Sequence, residues 1–298
     1  MRGRAARVLV SGLVLEEEHA GTTRHAAQIL PRVAAGLAAE GGELVVLAGE
    51  SGLAQSLPDS LRRVHCDVPA HPAWKRARAE SAALQHALTQ ARISGRPFDL
   101  VHTGHLPTPR GLDVPFTWLV HDLRRADMGS APSRWLSRLA IRRAARCSAA
   151  TLTVSAASAA RLRALTGVQA HVIPNGHEHF RPLPRSNPSQ PFMLGVGHIE
   201  PRKNWGTLID AMAHDPALPD LKIVGASKAE HRSHLEASIQ RLNLGKRVRF
   251  VGTLSEEELR ANYATCSAVV LPSLYEGCLL YTSPSPRDRT RSRMPSSA

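Results

Sequence analysis

Short β-type runs alternate with longer helical stretches along almost the whole of this chain, and that alternation narrows its possible folds more than any single residue does. Val8 to Leu13, Leu44 to Ala48, Arg63 to Val68, Leu100 to His102, Phe116 to His121 and Thr151 to Val154 read as strands. Between them, Thr22 to Glu40, Trp74 to Ile93, Ser133 to Cys147 and Ala156 to Leu165 read as helices by their Ala, Leu and Arg content and apolar spacing. Such an order implies a parallel sheet covered by helices on both faces. Pro174 to Gln190, with four prolines and Asn175-Gly176, suits neither element and reads as a hinge. The rhythm then restarts. Strands Phe192 to Val196, Leu221 to Val224, Val248 to Val251 and Ala268 to Leu271 alternate with helices Trp205 to Ala213, Glu230 to Leu242 and Glu256 to Thr265.

The expectation is two doubly wound α/β domains in tandem, facing each other across a cleft. The N-terminal domain takes residues 1–173, the hinge 174–190 and a second domain 191–277. The length of 298 residues suits two domains. A hydrophobic content of 43% supplies their cores, and an aromatic content of 4% means that Ala, Leu, Val and Ile must build them. The N-terminal apolar stretch stops at Glu16-Glu17-Glu18 without a cleavage site, so it reads as a first strand and not a signal peptide. No run reaches the ~18 apolar residues of a membrane span. Cys66, Cys147, Cys266 and Cys278 show no CxxC spacing, which argues against a zinc site or a disulfide framework. A cytoplasmic protein is the expected reading.

The formal charge of +13 favours anionic partners: phosphates, acidic lipid head groups or nucleic acid. Residues 278–298, rich in Ser, Pro and Arg and without periodicity, read as a disordered tail that is not native; they are similar to translated sequencing-adapter read-through. This tail carries a net +3, so the basic character belongs to the rest of the chain. Nucleic acid is not expected as a partner, because the arginines are not interleaved with aromatics and no helix-turn-helix, zinc or RNP string is present. No G-x-G-x-x-G follows the first strand and no G-x-x-x-x-G-K-[ST] occurs, which removes dehydrogenase and nucleotide-triphosphatase readings.

Two strings carry chemistry. In Gly195-Val-Gly-His-Ile-Glu-Pro-Arg-Lys-Asn204 an apolar strand enters a Gly-containing turn, and Arg202 and Lys203 stand at the start of a helix that Asn204 can cap. Trp205, Leu208, Ile209 and Met212 give that helix one core face. Free backbone N–H groups, partial positive charge and two cations make a diphosphate site; the same pair also suits a solvated basic cap. In Val269-Val-Leu-Pro-Ser-Leu-Tyr-Glu-Gly277, Glu276 follows a buried strand at its carboxyl end, where ligands of open α/β sheets bind. It can accept hydrogen bonds from sugar hydroxyls, or merely offset a helix dipole. Ser255 and Glu258 form a capping box before the final strand.

Together these strings resemble the family-4 retaining glycosyltransferases of the GT-B fold. PFMLGVGHIEPRKNWGTLIDAMA, LKIVG and RVRFVGTLSEEELRANYATCSAVVLPSLYEG follow the donor-domain order of that family. Weaker matches are Ala20-Gly-Thr-Thr-Arg-His25, Leu119-Val-His-Asp122, Thr153-Val-Ser155 and Val172-Ile-Pro-Asn-Gly176. The resemblance implies a nucleotide-sugar donor held by the C-terminal domain, with Arg202 and Lys203 on its diphosphate and Glu276 on its sugar. It places the Gly21 loop close to the donor phosphates and His121 near the reacting sugar. His121 also suits a buried structural histidine, and His102 and His105 compete with it for that position.

The departures are His198, where many relatives have Arg, and Pro284, where the family's Glu-x7-Glu pattern has its ribose-binding glutamate. Cys278 stands where relatives have Gly-Phe-Gly. The expectation is a match that ends at Gly277, an incomplete second domain and an inactive chain. The implied activity is transfer of a hexosyl unit, mannosyl or rhamnosyl, to a hydroxyl of a saccharide or lipid-linked saccharide in polysaccharide or glycolipid assembly. No cofactor and no obligatory metal are expected beyond the co-substrate. The basic helices at Arg134 to Arg146 and Arg161 to Arg163 suit either peripheral contact with anionic membrane or a solvated face. A sugar-nucleotide epimerase of the same fold is the alternative.

Overall fold

A computed structural model of the chain describes residues 5–13, 21–50, 53–68, 72–176, 184, 186, 190–227 and 229–276. They form two compact units. The first contains β1 (Arg7–Ser11), α1 (Gly21–Ala39), β2 (Glu43–Ala48), α2 (Leu53–Ser56), β3 (Arg63–His65), α3 (Ala73–Ile93) and β4 (Leu100–Thr103). It continues through β5 (Phe116–Val120), α4 (Arg124–Met128), α5 (Ala131–Cys147), β6 (Ala150–Thr153), α6 (Ala156–Thr166) and β7 (His171–Val172). Its strands make one parallel sheet in the order β3-β2-β1-β4-β5-β6-β7. Strand order reverses direction between β1 and β4, which makes their carboxyl ends, Ser11 and Thr103, the switch point at which sheets of this kind bind ligands.

Period-two alternation covers this sheet on both faces. Val10, Leu44, Val46 and Ala48 face Leu30 of α1 and Leu53, Leu57 and Leu61. Leu9, Val45, Leu47, Val101, Trp118 and Val120 face the other way, onto Leu84 and Leu88 of α3, Ile141 and Ala144 of α5 and Leu162 of α6. Each Val, Leu or Ile among these contributes roughly 1.5–3 kcal/mol by burial.

The second unit contains β8 (Phe192–Val196), a 3-10 turn (Pro201–Lys203), α7 (Trp205–His214), β9 (Asp220–Val224), α8 (Ala229–Arg241), β10 (Val248–Gly252), α9 (Glu256–Thr265) and β11 (Ala268–Val269). Its parallel sheet runs β10-β9-β8-β11, with the switch between β8 and β11. The four α7 residues expected to form a core face, Trp205, Leu208, Ile209 and Met212, are all buried against Leu221, Ile223 and Val248. Ser255 and Glu258 form the expected capping box.

Gly195 of β8 is required by this packing. A Cβ there would lie 2.6 Å from the Trp205 ring. Gly195→Ala is expected to destabilise the second unit by about 1–3 kcal/mol through overpacking, read by urea unfolding through Trp205 fluorescence. An unchanged midpoint would mean that the ring has room to move.

Several elements differ from the sequence expectation. The strand expected to reach Val68 ends at His65, and that expected to reach Leu271 ends at Val269, because Pro272 has no N–H to continue pairing. The strand expected to include His121 stops at Val120. The short α2, α4 and β7 carry too few residues to show a period. Glu16 to Glu18, most of the hinge and the tail from Gly277, position 284 included, lie outside the described residues. Among the described residues, no helix is long and apolar enough to cross a membrane.

Candidate active site

In the second unit, three of the expected site residues meet at the β8/β11 switch. Arg202 and Lys203 lie in the 3-10 turn that immediately precedes α7. Asn204 then takes a left-handed conformation (φ 56°) and starts α7 without a side-chain bond to its backbone. Its Nδ2 instead donates to the Pro272 carbonyl at 3.2 Å, and its Oδ1 accepts from the Thr207 hydroxyl. Leu274 N donates to the Arg202 carbonyl at 2.9 Å. These two backbone ties hold the segment after β11 against the turn and bring Glu276 to the cations.

Lys203 Nζ donates to Glu276 Oε1 at 2.6 Å, and Arg202 Nη1 donates to Glu276 Oε2 at 3.0 Å. Arg202 Nη2 also pairs with Glu200 Oε1 at 2.6 Å. Lys203 is only 7% exposed, and its stem lies over Gly197, where a Cβ would stand 3.0 Å from Lys203 Cε. Gly197 has φ +154°, which L side chains rarely adopt, so glycine is needed there twice over. Burial pushes the Glu276 carboxyl up, but the Lys203 hydrogen bond and the charges of Lys203 and Arg202 outweigh it and hold the pKa below the ordinary carboxylate value.

The cluster keeps hydrogen-bonding capacity for an anion. Arg202 Nε is buried and has no partner among the described residues. Lys203 carries three donors, one of them used by Glu276. His198, which stands where many relatives carry Arg, is exposed, and its carbonyl accepts from Trp205 Nε1 at 3.1 Å.

In the first unit, the expected Gly21 and His121 belong to one neighbourhood. Gly21 opens α1, and His25 lies one turn along it. The His25 ring meets the His121 ring edge to face, with centroids 4.9 Å apart and planes at 83°. His25 Nδ1 lies 2.7 Å from Asn175 Oδ1, which fixes the proton on Nδ1 if the amide oxygen faces it. His102 Nδ1 lies 2.8 Å from Thr117 Oγ1. His105 Nε2 lies 2.7 Å from Oε2 of Glu80, a fully buried carboxyl on α3 that also accepts from Ser11 Oγ at 2.5 Å. His105 is thus committed to a structural pair at the β1/β4 switch.

Burial, then the nearby His25 and His102, lowers the His121 pKa to about 3. Burial, with His25 and His105, takes His102 to about 4. Burial also lowers His25, against the raising effect of its Asn175 bond. His121 is therefore neutral throughout the physiological range. It suits hydrogen bonding and is a poor proton acceptor.

Sequence reasoning passed over His25, Asn175 and Glu80 as members of this cluster. Their only signal was the four-residue spacing of Gly21 and His25 on one helix; Glu80, flanked by Arg78 and Ser81, carried none. Among the described residues, no group of three or more His, Cys, Asp or Glu stands together to hold a metal.

Two parallel doubly wound sheets, each with polar residues at its switch point, define the GT-B class. Residues 26–179 match the family model described as Glycosyltransferase Family 4, and residues 177–278 match Glycosyl transferases group 1. The chain belongs to glycosyltransferase family 4. It is 29% identical over 216 residues to the MMP alpha-(1->4)-mannosyltransferase of Mycolicibacterium hassiacum, a match covering 64% of this chain and 52% of the relative. The chain thus spans about half the length of that curated relative.

Among solved structures, it is similar to sucrose-phosphate synthase from Thermosynechococcus elongatus, with a TM-score of 0.66 and 21% identity over 92% of this chain and 77% of the other. It is also similar to HepE of Anabaena in complex with UDP and glucose, with a TM-score of 0.60 and 18% identity over 89% and 73%. These two likenesses establish the fold.

Proposed function

We propose that this chain comes from a retaining glycosyltransferase that moves a hexosyl unit from a nucleoside-diphosphate sugar to a hydroxyl of a saccharide or lipid-linked saccharide. The observation that carries the reading is the Arg202/Lys203/Glu276 cluster: two cations with remaining donors, held by a carboxylate at a sheet switch point. Arg202 and Lys203 bind the diphosphate and stabilise the charge that develops as it departs, without assistance from an obligatory metal. Glu276 accepts hydrogen bonds from the donor sugar. From the first unit, Gly21 at the start of α1 is the candidate for the donor phosphates and neutral His121 the candidate for hydrogen bonding at the reacting sugar. The mannosyltransferase relative makes mannosyl the first donor sugar to test.

A thermal-shift panel of UDP-, GDP-, ADP- and dTDP-sugars identifies the donor, followed by product analysis with and without candidate glycans. Stabilisation by one nucleotide sugar, and release of nucleotide only with acceptor, is the expected outcome. Altered sugar without acceptor would instead show an epimerase. The panel is run on this chain and on a version continuing from Gly277 into a complete family C-terminus, which is expected to be the more active. Comparable turnover by the two would make residues 278–298 native.

A further inference from the structure

Among the described residues, α5 carries a surface that the fold of the first unit leaves unexplained. Its 17 residues include Arg134, Arg138, Arg142, Arg143 and Arg146 and no acidic residue. Its core contacts use Ile141, Ala144 and Ala145. The opposite face holds Trp135 at 65% exposure, Leu136 at 58% and Leu139 at 53%. Positions 135, 139, 142 and 146 fall within about 60° of one another around the helix axis, over roughly 16 Å. All four side chains are exposed. The stripe is apolar at the N-terminal end and basic at the C-terminal end. Met128 of α4, at 46% exposure, extends the apolar part, since α4 is tied to α5 by Arg138 Nε donating to the Ala126 carbonyl.

A solvated face has no use for an exposed Trp and two exposed Leu, which cost solubility when contiguous. An RNA or DNA surface would use the arginines but leave the leucines in water. A bilayer interface accepts both: Trp and Leu enter the head-group and acyl boundary, and Arg meets anionic lipid phosphate. The absence of any carboxylate on α5 fits that charge. The nearest acid on α4, Asp127, is already paired with Arg161 of α6.

We infer that the exposed face of α5, with Trp135, Leu136 and Leu139 as its anchors and Arg142 and Arg146 as its cations, docks this protein peripherally on anionic membrane. The inference stands on α5 alone and is independent of the donor-site reading.

The test is co-sedimentation of the 298-residue chain with vesicles of phosphatidylcholine, and of phosphatidylcholine mixed equally with phosphatidylglycerol. Binding is expected to the mixed vesicles only, weakening as salt is raised. Trp135→Ser with Leu139→Ser is expected to reduce partitioning at least about tenfold, at about 25 cal/mol per Å² of apolar surface withdrawn. Arg142→Glu with Arg146→Glu should reduce it by a factor of about 25 or more, since each arginine near such a surface is worth a factor of about five. Arg241→Glu with Arg249→Glu, an identical charge change on exposed positions of the second unit, should leave it unchanged. In a Trp74→Phe background, Trp135 is the only exposed tryptophan among the described residues, and its emission should shift to the blue on binding. Melting temperatures confirm that each variant is folded. Equal loss in the two charge-reversed pairs, no binding, or concentration-dependent dimerisation abolished by the Trp135/Leu139 pair would overturn the inference, the last by making a second copy the occupant.

Discussion

Lys203→Met is expected to weaken binding of nucleoside diphosphates about ten- to a hundredfold, because each charge-assisted hydrogen bond to a partly desolvated phosphate is worth roughly 1.5–3 kcal/mol. The substitution keeps the stem that packs over Gly197 and leaves Glu276 paired with Arg202, so the fold of the cluster survives. Glu276→Gln behaves differently. Arg202 retains Glu200, but Lys203, 7% exposed, loses its counter-charge. Leaving a buried ammonium unpaired costs up to about 3–5 kcal/mol when burial is complete, and somewhat less at this partly open position. The second unit should therefore melt earlier, and a bound diphosphate should recover more stability in Glu276→Gln than in the parent chain. Affinity for the nucleoside diphosphate alone should rise, since greater stabilisation by a ligand means tighter binding, while the added affinity contributed by the sugar should fall. Calorimetry with the nucleotide selected by the thermal-shift panel, with and without its sugar, separates the two residues. Unchanged diphosphate affinity in Lys203→Met would remove the cations from the donor site. A Glu276→Gln chain that loses nucleotide and nucleotide sugar equally would remove Glu276 from the sugar.

Local patterns were legible in the sequence where a single element states its own partner. The Trp205, Leu208, Ile209, Met212 spacing names one helix face, and that face is buried. The Ser255 and Glu258 pair closes on itself over three residues, and both reciprocal bonds form. The site residues were legible as types but not as contacts. Glu276 was read as facing sugar and Arg202/Lys203 as facing phosphate, yet in the chain itself they face each other across 74 positions. Nothing local in the sequence encodes that pairing, which depends on β8 and β11 being neighbours in the sheet. The same holds for His25 and Asn175, 150 positions apart. Glu80 reads in sequence like any helix-surface glutamate. Only the fold places it fully inside, against Ser11 and His105.

Acid should destabilise the first unit steeply before its carboxylates titrate, and the histidine cluster drives that loss. His121 and His102 have folded pKa values of about 3 and about 4 against an ordinary 6.5. Above that ordinary value both are neutral in the folded and the unfolded chain, and they add no pH dependence. Below it, the unfolded chain takes up protons that the folded chain refuses, so stability falls as pH falls, by about 1.4 kcal/mol per pH unit for each histidine. Between pH 7 and pH 5 the two together remove about 4 kcal/mol, a large share of the roughly 5–15 kcal/mol that an ordinary domain possesses. His25, also lowered, acts in the same direction. Glu43, whose pKa is lowered by its bonds to Arg62 and Arg7 against the raising effect of burial, loses stability only below the ordinary carboxylate value and stays out of this window. Urea unfolding followed through buried Trp118, in a Trp205→Phe background, should show the midpoint falling steeply between these two pH values. His121→Gln, which cannot titrate, should flatten that slope by about 1.4 kcal/mol per pH unit even if it lowers stability at neutral pH. Parallel profiles for parent and variant would mean that His121 reaches enough water to be protonated in place, and a solvated His121 could not then be the neutral hydrogen-bonding group proposed at the reacting sugar.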